Sequence, residues 1–136
     1  MNYPNNNKEY FNPVKVIKTE NWKTELLSIL KNNNIARPLI VTSKGNSKRL
    51  KIKNQFRAFL TIEDVPPNPT VQYCDKKINY INNLKIDSII AIGGGSVMDA
   101  AKVFLAAANK EGKNTLELIN YKNNLDRKIT SIFIPT

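Results

Sequence analysis

Histidine is absent from the 136-residue sequence, and cysteine occurs once, as Cys74. Without imidazole, the chain offers neither a histidine base nor a histidine metal ligand. A single thiol also excludes an internal disulfide and a thiolate metal cluster. No apolar run approaches the ~20 residues that cross a bilayer, and the polar start MNYPNNN lacks the basic-then-apolar pattern of a signal peptide. We therefore expect a cytoplasmic protein that has no membrane partner.

Positive charge is what the sequence has in excess. Lys and Arg number 21 against 11 Asp and Glu, which gives a formal net charge of +10. Such a balance attracts nucleotides, nucleic acid or acidic surfaces. Aromatic residues make up only 8% of the chain and do not alternate with the basic ones, as the stacking platforms of single-strand binders would require. Nucleic acid is therefore the less favoured partner, although a basic, non-enzymatic binding module for nucleotides or nucleic acid remains an alternative.

Hydrophobic periodicity alternates along the chain between strand-like and helix-like segments. The 41% hydrophobic content suffices for a core. Strands are expected at 14–17, 39–42, 58–62, 88–92 and 129–134, and helices at 20–31, 47–55, 71–81, 97–110 and 116–121. This order predicts an α/β fold with a Rossmann-like, mostly parallel sheet flanked by helices. Ligands of such sheets bind beyond the carboxyl ends of the strands.

Three of the five glycines are consecutive, at 93–95, between a predicted strand and the most regular predicted helix. Glycines let a backbone approach a bulky anion without an intervening Cβ. The helix that follows adds free N–H groups and the positive end of its dipole. A diphosphate fits this environment, although the segment is neither the usual dinucleotide fingerprint nor a P-loop.

The same turn has a purely structural interpretation. Glycines between a strand and a helix can serve only to make a tight turn. Ser96 and Asp99 match the spacing of a capping box, which would explain both residues without a ligand. On the residues alone, both interpretations stay open.

The segment 92–102, IGGGSVMDAAK, resembles the GGGSxxDxAK signature of the iron-containing alcohol dehydrogenase family. Three further landmarks occur in the order that this family shows. They are FNP at 11–13, PNPT at 67–70 and the terminal IPT at 134–136, which resembles the start of an IPTTxGTGSE segment; Asp87 before the strand also fits. Fragments of glycerol dehydrogenase or dehydroquinate synthase-like enzymes, which share a related glycine turn, remain an alternative.

The resemblance implies an oxidoreductase that uses NAD or NADP to interconvert alcohols and aldehydes or ketones. It implies that Gly94, Gly95 and Ser96 hold the cofactor diphosphate. Asn68 would lie near the adenosine and Thr136 near the other side of the cofactor. Asp99 would lie at the head of the motif helix, close to the active-site cleft.

Family members also carry a C-terminal helical domain, whose aspartate and three histidines bind iron or sometimes zinc. The residues that would form this domain are missing, which agrees with the lack of histidine. We therefore expect a flexible segment at 1–10, an incomplete NAD(P)-binding domain at 11–136, and no catalytic or metal residue within the chain. The isolated chain is expected to have weak or no dehydrogenase activity, and to self-associate or to need a missing C-terminal half.

One position bears on the choice of cofactor. NAD-preferring family members usually end the second strand in aspartate, where this chain has Ser43. Several cations lie close by in sequence, namely Lys44, Lys48, Arg49, Lys51, Lys53 and Arg57. A serine with nearby cations suits the 2′-phosphate of NADP, whereas a solvated helix face would explain the same charges without a ligand. The sequence favours NADP.

Overall fold

The structure, a computed structural model, describes residues 15–109, 113–119 and 129–136. Its described elements are α1 (Trp22–Asn32), β1 (Pro38–Thr42), α2 (Lys44–Arg49), α3 (Ile52–Gln55), β2 (Leu60–Ile62), α4 (Val71–Asn82), β3 (Ser88–Gly93), α5 (Gly95–Asn109), α6 (Thr115–Ile119) and β4 (Thr130–Pro135). The strands form one sheet in the order β2-β1-β3-β4, and each neighbouring pair is parallel. The predicted α/β fold is confirmed.

The strand order reverses between β1 and β3. From β1 the chain passes to β2 on one side and then returns to β3 on the other side of β1. At such a reversal the two connections leave the sheet in opposite directions and open a crevice at the carboxyl ends of the strands. The crevice lies between Thr42, the last residue of β1, and Gly93, the last residue of β3.

Helices cover both faces of the sheet. One hydrophobic cluster joins the odd-numbered core positions of β1 and β3 to α4, α5 and α6. A second cluster joins Ile40, Ile90 and Ile92 to α1 and α3. Every residue of β1 and β3 is therefore buried. Burial on both faces explains why these strands are continuous apolar runs in the sequence rather than alternating ones.

Helix starts follow the capping rules. Asn21 accepts a hydrogen bond from the Thr24 amide at the start of α1. Thr70 accepts one from the Tyr73 amide at the start of α4. These caps satisfy amides that have no intrahelical acceptor, so the two helices begin at Trp22 and Val71.

The single helix predicted at 47–55 is wrong. The structure has two shorter helices there, α2 and α3, separated at Lys51, whose φ of 53° is left-handed. A helix cannot continue through that conformation. The break places Ile52 and Phe56 in the core beside α1.

The predicted strand at 14–17 is also not confirmed, because residues 15–17 lie outside any strand. Val14, the FNP landmark and the segment 1–10 lie outside the described residues, as does the end of the helix predicted at 116–121. The proposed domain boundaries thus stay predictions. None of the described helices combines the length and the apolar character needed to span a membrane.

Candidate functional site

Gly93 is a glycine because of packing. A Cβ built on it would lie 2.7 Å from Val97 Cγ2 and 2.8 Å from Val97 Cβ. Real Cβ atoms do not tolerate such distances, so any larger residue would push the first turn of α5 away from β3. The missing side chain lets α5 begin directly against the end of the strand.

Packing does not explain why residues 94 and 95 are glycines. Neither adopts a left-handed φ, and apart from chain neighbours no described heavy atom lies within 4 Å of a Cβ built on either. Both residues are exposed. The unliganded fold would therefore accept alanine at both positions. A requirement for glycine would have to come from something that approaches the backbone from outside, which weakens the tight-turn interpretation.

The first turn of α5 faces this open space with unused donors. Its first intrahelical hydrogen bond runs from the Met98 amide to the Gly94 carbonyl, at 3.0 Å. The amides of Gly95, Ser96 and Val97 consequently have no acceptor within the helix. Together with the positive end of the dipole of this 15-residue helix, they form an environment suited to an anion.

The capping-box interpretation of Ser96 and Asp99 is wrong. Ser96 lies inside the first turn of α5 rather than before it. Its Oγ instead accepts a hydrogen bond from the Asn68 amide at 3.1 Å. Ser96 therefore joins the glycine turn to the 63–70 loop, and Asn68, with a left-handed φ of 50°, lies beside the turn.

Further contacts fix the 63–70 loop. The Val65 amide donates to the Thr42 carbonyl at 3.2 Å. Asp64 accepts hydrogen bonds from Tyr73 Oη at 2.7 Å and from Lys77 Nζ at 2.9 Å. Tyr73 and Asp64 are nine residues apart in sequence and meet only through the fold. The loop that carries Asn68 is thus held at both ends.

Burial and hydrogen bonding set the protonation states of this anchor. Burial alone would raise the pKa of Asp64, but the hydrogen bonds from Tyr73 and Lys77 outweigh it and lower the pKa below its ordinary value. The pKa of Tyr73 is raised, first by burial and then by its hydrogen bond to the Asp64 carboxylate. At neutral pH the pair is therefore a phenol donating to a carboxylate.

Thr136 lies on the opposite side of the glycine turn. Its amide donates to the Gly93 carbonyl at 3.2 Å, and Pro135 is paired with Gly93 in the β3–β4 register. The structure thus places Thr136 next to the turn, and its position relative to a cofactor stays a prediction.

Ser43 follows β1 at the crevice and caps α2 by accepting from the Asn46 amide. The preceding Thr42 is paired with Ile92 and donates its hydroxyl to the Ile92 carbonyl at 2.7 Å. Ser43 is consequently held beside the end of β3, at the strand reversal.

Asp99 lies about one turn into α5. Its side chain is 77% exposed and lies 3.9 Å from Lys102 Nζ. It borders a shallow groove between α4 and α5 that Thr70 and Cys74 also line. Cys74 is buried, and burial raises the pKa of its thiol, which disfavours the reactive thiolate.

A basic cleft opens beside Ser43, between α2, α3 and the end of β2. We call it the lysine cleft. It is lined by Lys44, Ser47, Lys48, Lys51, Lys53, Asn54 and Glu63. Sequence reasoning identified the cations but not Glu63 or Ser47, which are 16 residues apart in sequence and meet only through the fold.

Within the lysine cleft, one lysine is neutralised and three are not. Lys53 pairs with Glu63, which also accepts from the Ser47 hydroxyl at 2.8 Å. These contacts, with that of Lys53 the larger, lower the pKa of the Glu63 carboxyl. Lys44, Lys48 and Lys51 have no ion-pair partner among residues 15–109, 113–119 and 129–136. The cleft thus presents an uncompensated positive charge.

The residues that the structure describes do not fit a catalytic metal. The chain has no histidine. In the part of the chain that the structure describes, no group of three or more Cys, Asp or Glu side chains could hold an ion.

The glycine turn, the first amides of α5 and the strand reversal lie together at the carboxyl ends of the strands of a parallel α/β sheet. The family model for iron-containing alcohol dehydrogenases matches residues 13–136, and the chain belongs to that family.

Among curated relatives, the chain is 32% identical over 115 residues to a probable NADH-dependent butanol dehydrogenase 1 of Bacillus subtilis. That alignment covers 76% of the chain and 28% of the relative. This chain is also 29% identical over 106 residues to the long-chain primary alcohol dehydrogenase AdhA of Thermoanaerobacter ethanolicus, in an alignment that covers 72% of the chain and 27% of the relative. The chain thus spans little more than a quarter of these proteins.

Solved structures show the same fold. A sulfoacetaldehyde reductase from Bifidobacterium kashiwanohense, solved in complex with NAD⁺, aligns with a TM-score of 0.79 at 20% identity. The alignment covers 93% of this chain and 35% of that one. An NADH-dependent butanol dehydrogenase A from Thermotoga maritima aligns with a TM-score of 0.77 at 21% identity, covering 93% and 34%.

Proposed function

We propose that this chain is the NAD(P)-binding part of an alcohol dehydrogenase, an oxidoreductase that interconverts alcohols and aldehydes or ketones by hydride transfer. The observation that carries the proposal is the pair Gly94 and Gly95. Neither packing nor backbone conformation requires glycine there, whereas the close approach of a diphosphate would. Family membership and the NAD⁺-bound structural neighbour support the same ligand class.

In the proposed complex, the diphosphate lies on the amides of Gly94, Gly95 and Ser96. The Ser96 hydroxyl accepts from Asn68, so its own proton is available to donate to a phosphate oxygen. Asn68 then lies toward the adenosine and Thr136 toward the nicotinamide side. Asp99 is exposed on α5 and borders the groove between α4 and α5 rather than the diphosphate.

A bound nicotinamide dinucleotide supplies the hydride chemistry. The residues of this chain bind and orient it through the fixed loop and the first turn of α5. Those that the structure describes form no metal-binding group, so we assign no step of the reaction to a metal held by them. We expect the purified 136-residue chain to bind the cofactor but to show weak or no metal-dependent alcohol oxidation, and steady oxidation with added iron or zinc would contradict this.

We further propose that the cofactor is NADP. Ser43 stands where an acid would repel a 2′-phosphate. The lysine cleft beside it offers three lysines that the described part of the chain leaves unpaired. A 2′-phosphate carries up to two negative charges, and ionic hydrogen bonds to it are the strong kind.

Fluorescence titration of the purified chain with NADPH and NADH tests both proposals. Saturable binding of either dinucleotide supports the binding function, and tighter binding of NADPH supports the specificity. Binding of neither, at cofactor concentrations of about 1 mM, would refute the function. Tighter binding of NADH would refute only the preference for NADP.

A further inference from the structure

Asn46 of α2 reaches across the crevice to the glycine turn. Its Nδ2 lies 3.1 Å from the position that a Cβ on Gly93 would occupy. The side chain is half-buried, and it belongs to a segment 47 residues away from the turn in sequence, so no local pattern announces the contact. Because β1 and β3 are adjacent, the helix that follows β1 overhangs the end of β3.

The orientation of the Asn46 amide is fixed by Arg49. The guanidinium Nη2 of Arg49 donates to Asn46 Oδ1 at 2.7 Å. A guanidinium can only donate, so the oxygen of the amide must face it. The amide nitrogen, with its two donors, therefore faces the glycine turn. It makes no hydrogen bond with any residue that the structure describes.

We infer that Asn46 is a further cofactor-binding residue, whose Nδ2 donates to a diphosphate oxygen while Arg49 holds the amide in place. The inference rests on the proposed function and adds a donor from the side of the crevice opposite α5. A phosphate oxygen on the amides of α5 accepts more than one hydrogen bond. Arg49 also places a positive charge at the end of the Asn46 amide opposite to that donor.

Two substitutions separate a donor from a packing residue. Asn46→Leu keeps a side chain of similar size against Gly93 but removes the donor. Asn46→Asp keeps the shape and the contact with Arg49 and replaces the donor by a negative charge. Asn46→Asp should not unfold the chain, because position 46 is the third residue of α2, where an acid favours the helix. Asn46→Leu should not unfold it either, because the side chain keeps a similar size. Asn79→Asp, on the exposed surface of α4, is the matched control for the added charge.

The expected result is a loss of NADPH affinity without a loss of stability. Removing a hydrogen bond to a charged group corresponds to roughly a 10- to 100-fold rise in Kd for Asn46→Leu. Asn46→Asp should weaken binding further, and Asn79→Asp should leave it unchanged. In ¹⁵N spectra of the chain, the side-chain NH₂ pair that disappears in Asn46→Asp should shift when NADPH is added.

The outcomes distinguish this inference from the proposed function. If the unmodified chain binds NADPH and both Asn46 variants bind it equally well, the inference is overturned while the proposed function stands. Tighter binding by Asn46→Leu would show that Asn46 obstructs the crevice, and would overturn it as well. If the unmodified chain binds no dinucleotide, both fall together.

Discussion

Gly95→Ala separates what the fold requires from what the ligand requires. In the unliganded chain, the new methyl group would meet no described atom within 4 Å, and the residue does not adopt a left-handed φ. Replacing glycine by alanine at such a helical position should therefore raise the free energy of unfolding by about 0.5–1 kcal/mol. The same methyl group would project into the space that the diphosphate is proposed to fill.

The expected cost to binding follows from the contacts that the methyl group would block. Losing one or two amide contacts to a charged phosphate, at about 1.5–3 kcal/mol each, corresponds to a rise in Kd of at least roughly tenfold. Gly93→Ala is the matched control, because its methyl group would lie 2.7 Å from Val97 Cγ2. Overpacking of that kind should lower the free energy of unfolding by about 1–3 kcal/mol.

Urea denaturation and NADPH titration measure the two effects separately. Trp22 is the only tryptophan and packs 6.2 Å from Phe56, between ring centroids, so its fluorescence reports unfolding of that core. The reasoning is refuted if Gly95→Ala destabilises the chain, or if it binds NADPH as tightly as the unmodified protein does. In either case glycine at 95 would serve the turn and not a ligand.

Further substitutions probe the cofactor preference and the loop anchor. Ser43→Asp keeps a side chain that can cap α2, and it should weaken NADPH binding at least about tenfold relative to NADH, because an acid repels the 2′-phosphate; an unchanged ratio of the two Kd values would contradict the NADP proposal. Tyr73→Phe removes the donor to Asp64 and should lower the free energy of unfolding by about 1 kcal/mol in urea titrations, so an unaltered midpoint would count against the anchor. The pKa values of Glu63 and Asp64 are lowered from 4.5 and 3.8, so their contribution to stability is complete above those values and is lost as the pH falls through the lower pKa values of the folded state. Melting temperatures should accordingly fall more steeply below about pH 4 in the unmodified chain than in the Glu63→Gln/Asp64→Asn variant, and equal slopes would exclude this origin.

The strands β1 and β3 and the position of the glycine turn could be predicted because their signals are local. β1 and β3 are buried on both faces, and such strands are uninterrupted apolar runs. The apolar face of α4 and its cap at Thr70 follow from spacing alone. The break at Lys51 could not be predicted, because a left-handed lysine is unfavourable by itself. The break accompanies the burial of Ile52 and Phe56 against α1, which depends on the tertiary fold.

The sequence reveals the GGGS motif but not the contacts that its residues make in the fold. The GGGS segment marks the turn but does not reveal that only Gly93 is crowded. Ser96 matched a capping box because spacing along the chain is all that a sequence shows. Its actual partner, the Asn68 amide, is 28 residues away in sequence. The contact between Tyr73 and Asp64 could not be predicted for the same reason.

The short helix α2 links the two halves of the proposed site. Successive residues of a helix are about 100° apart around its axis, so positions 44, 47 and 48 of α2 share one side and positions 46 and 49 share another. The first side lines the lysine cleft, where Ser47 contacts Glu63. The second side faces the glycine turn, where Arg49 orients Asn46. The break at Lys51 starts a new helix, in which Ile52 is buried and Lys53 pairs with Glu63. Glu63, the one acid that lines the cleft, is thereby paired with Lys53 and not with Lys44, Lys48 or Lys51. The left-handed Lys51 and the uncompensated positive charge of the cleft therefore belong to the same local structure.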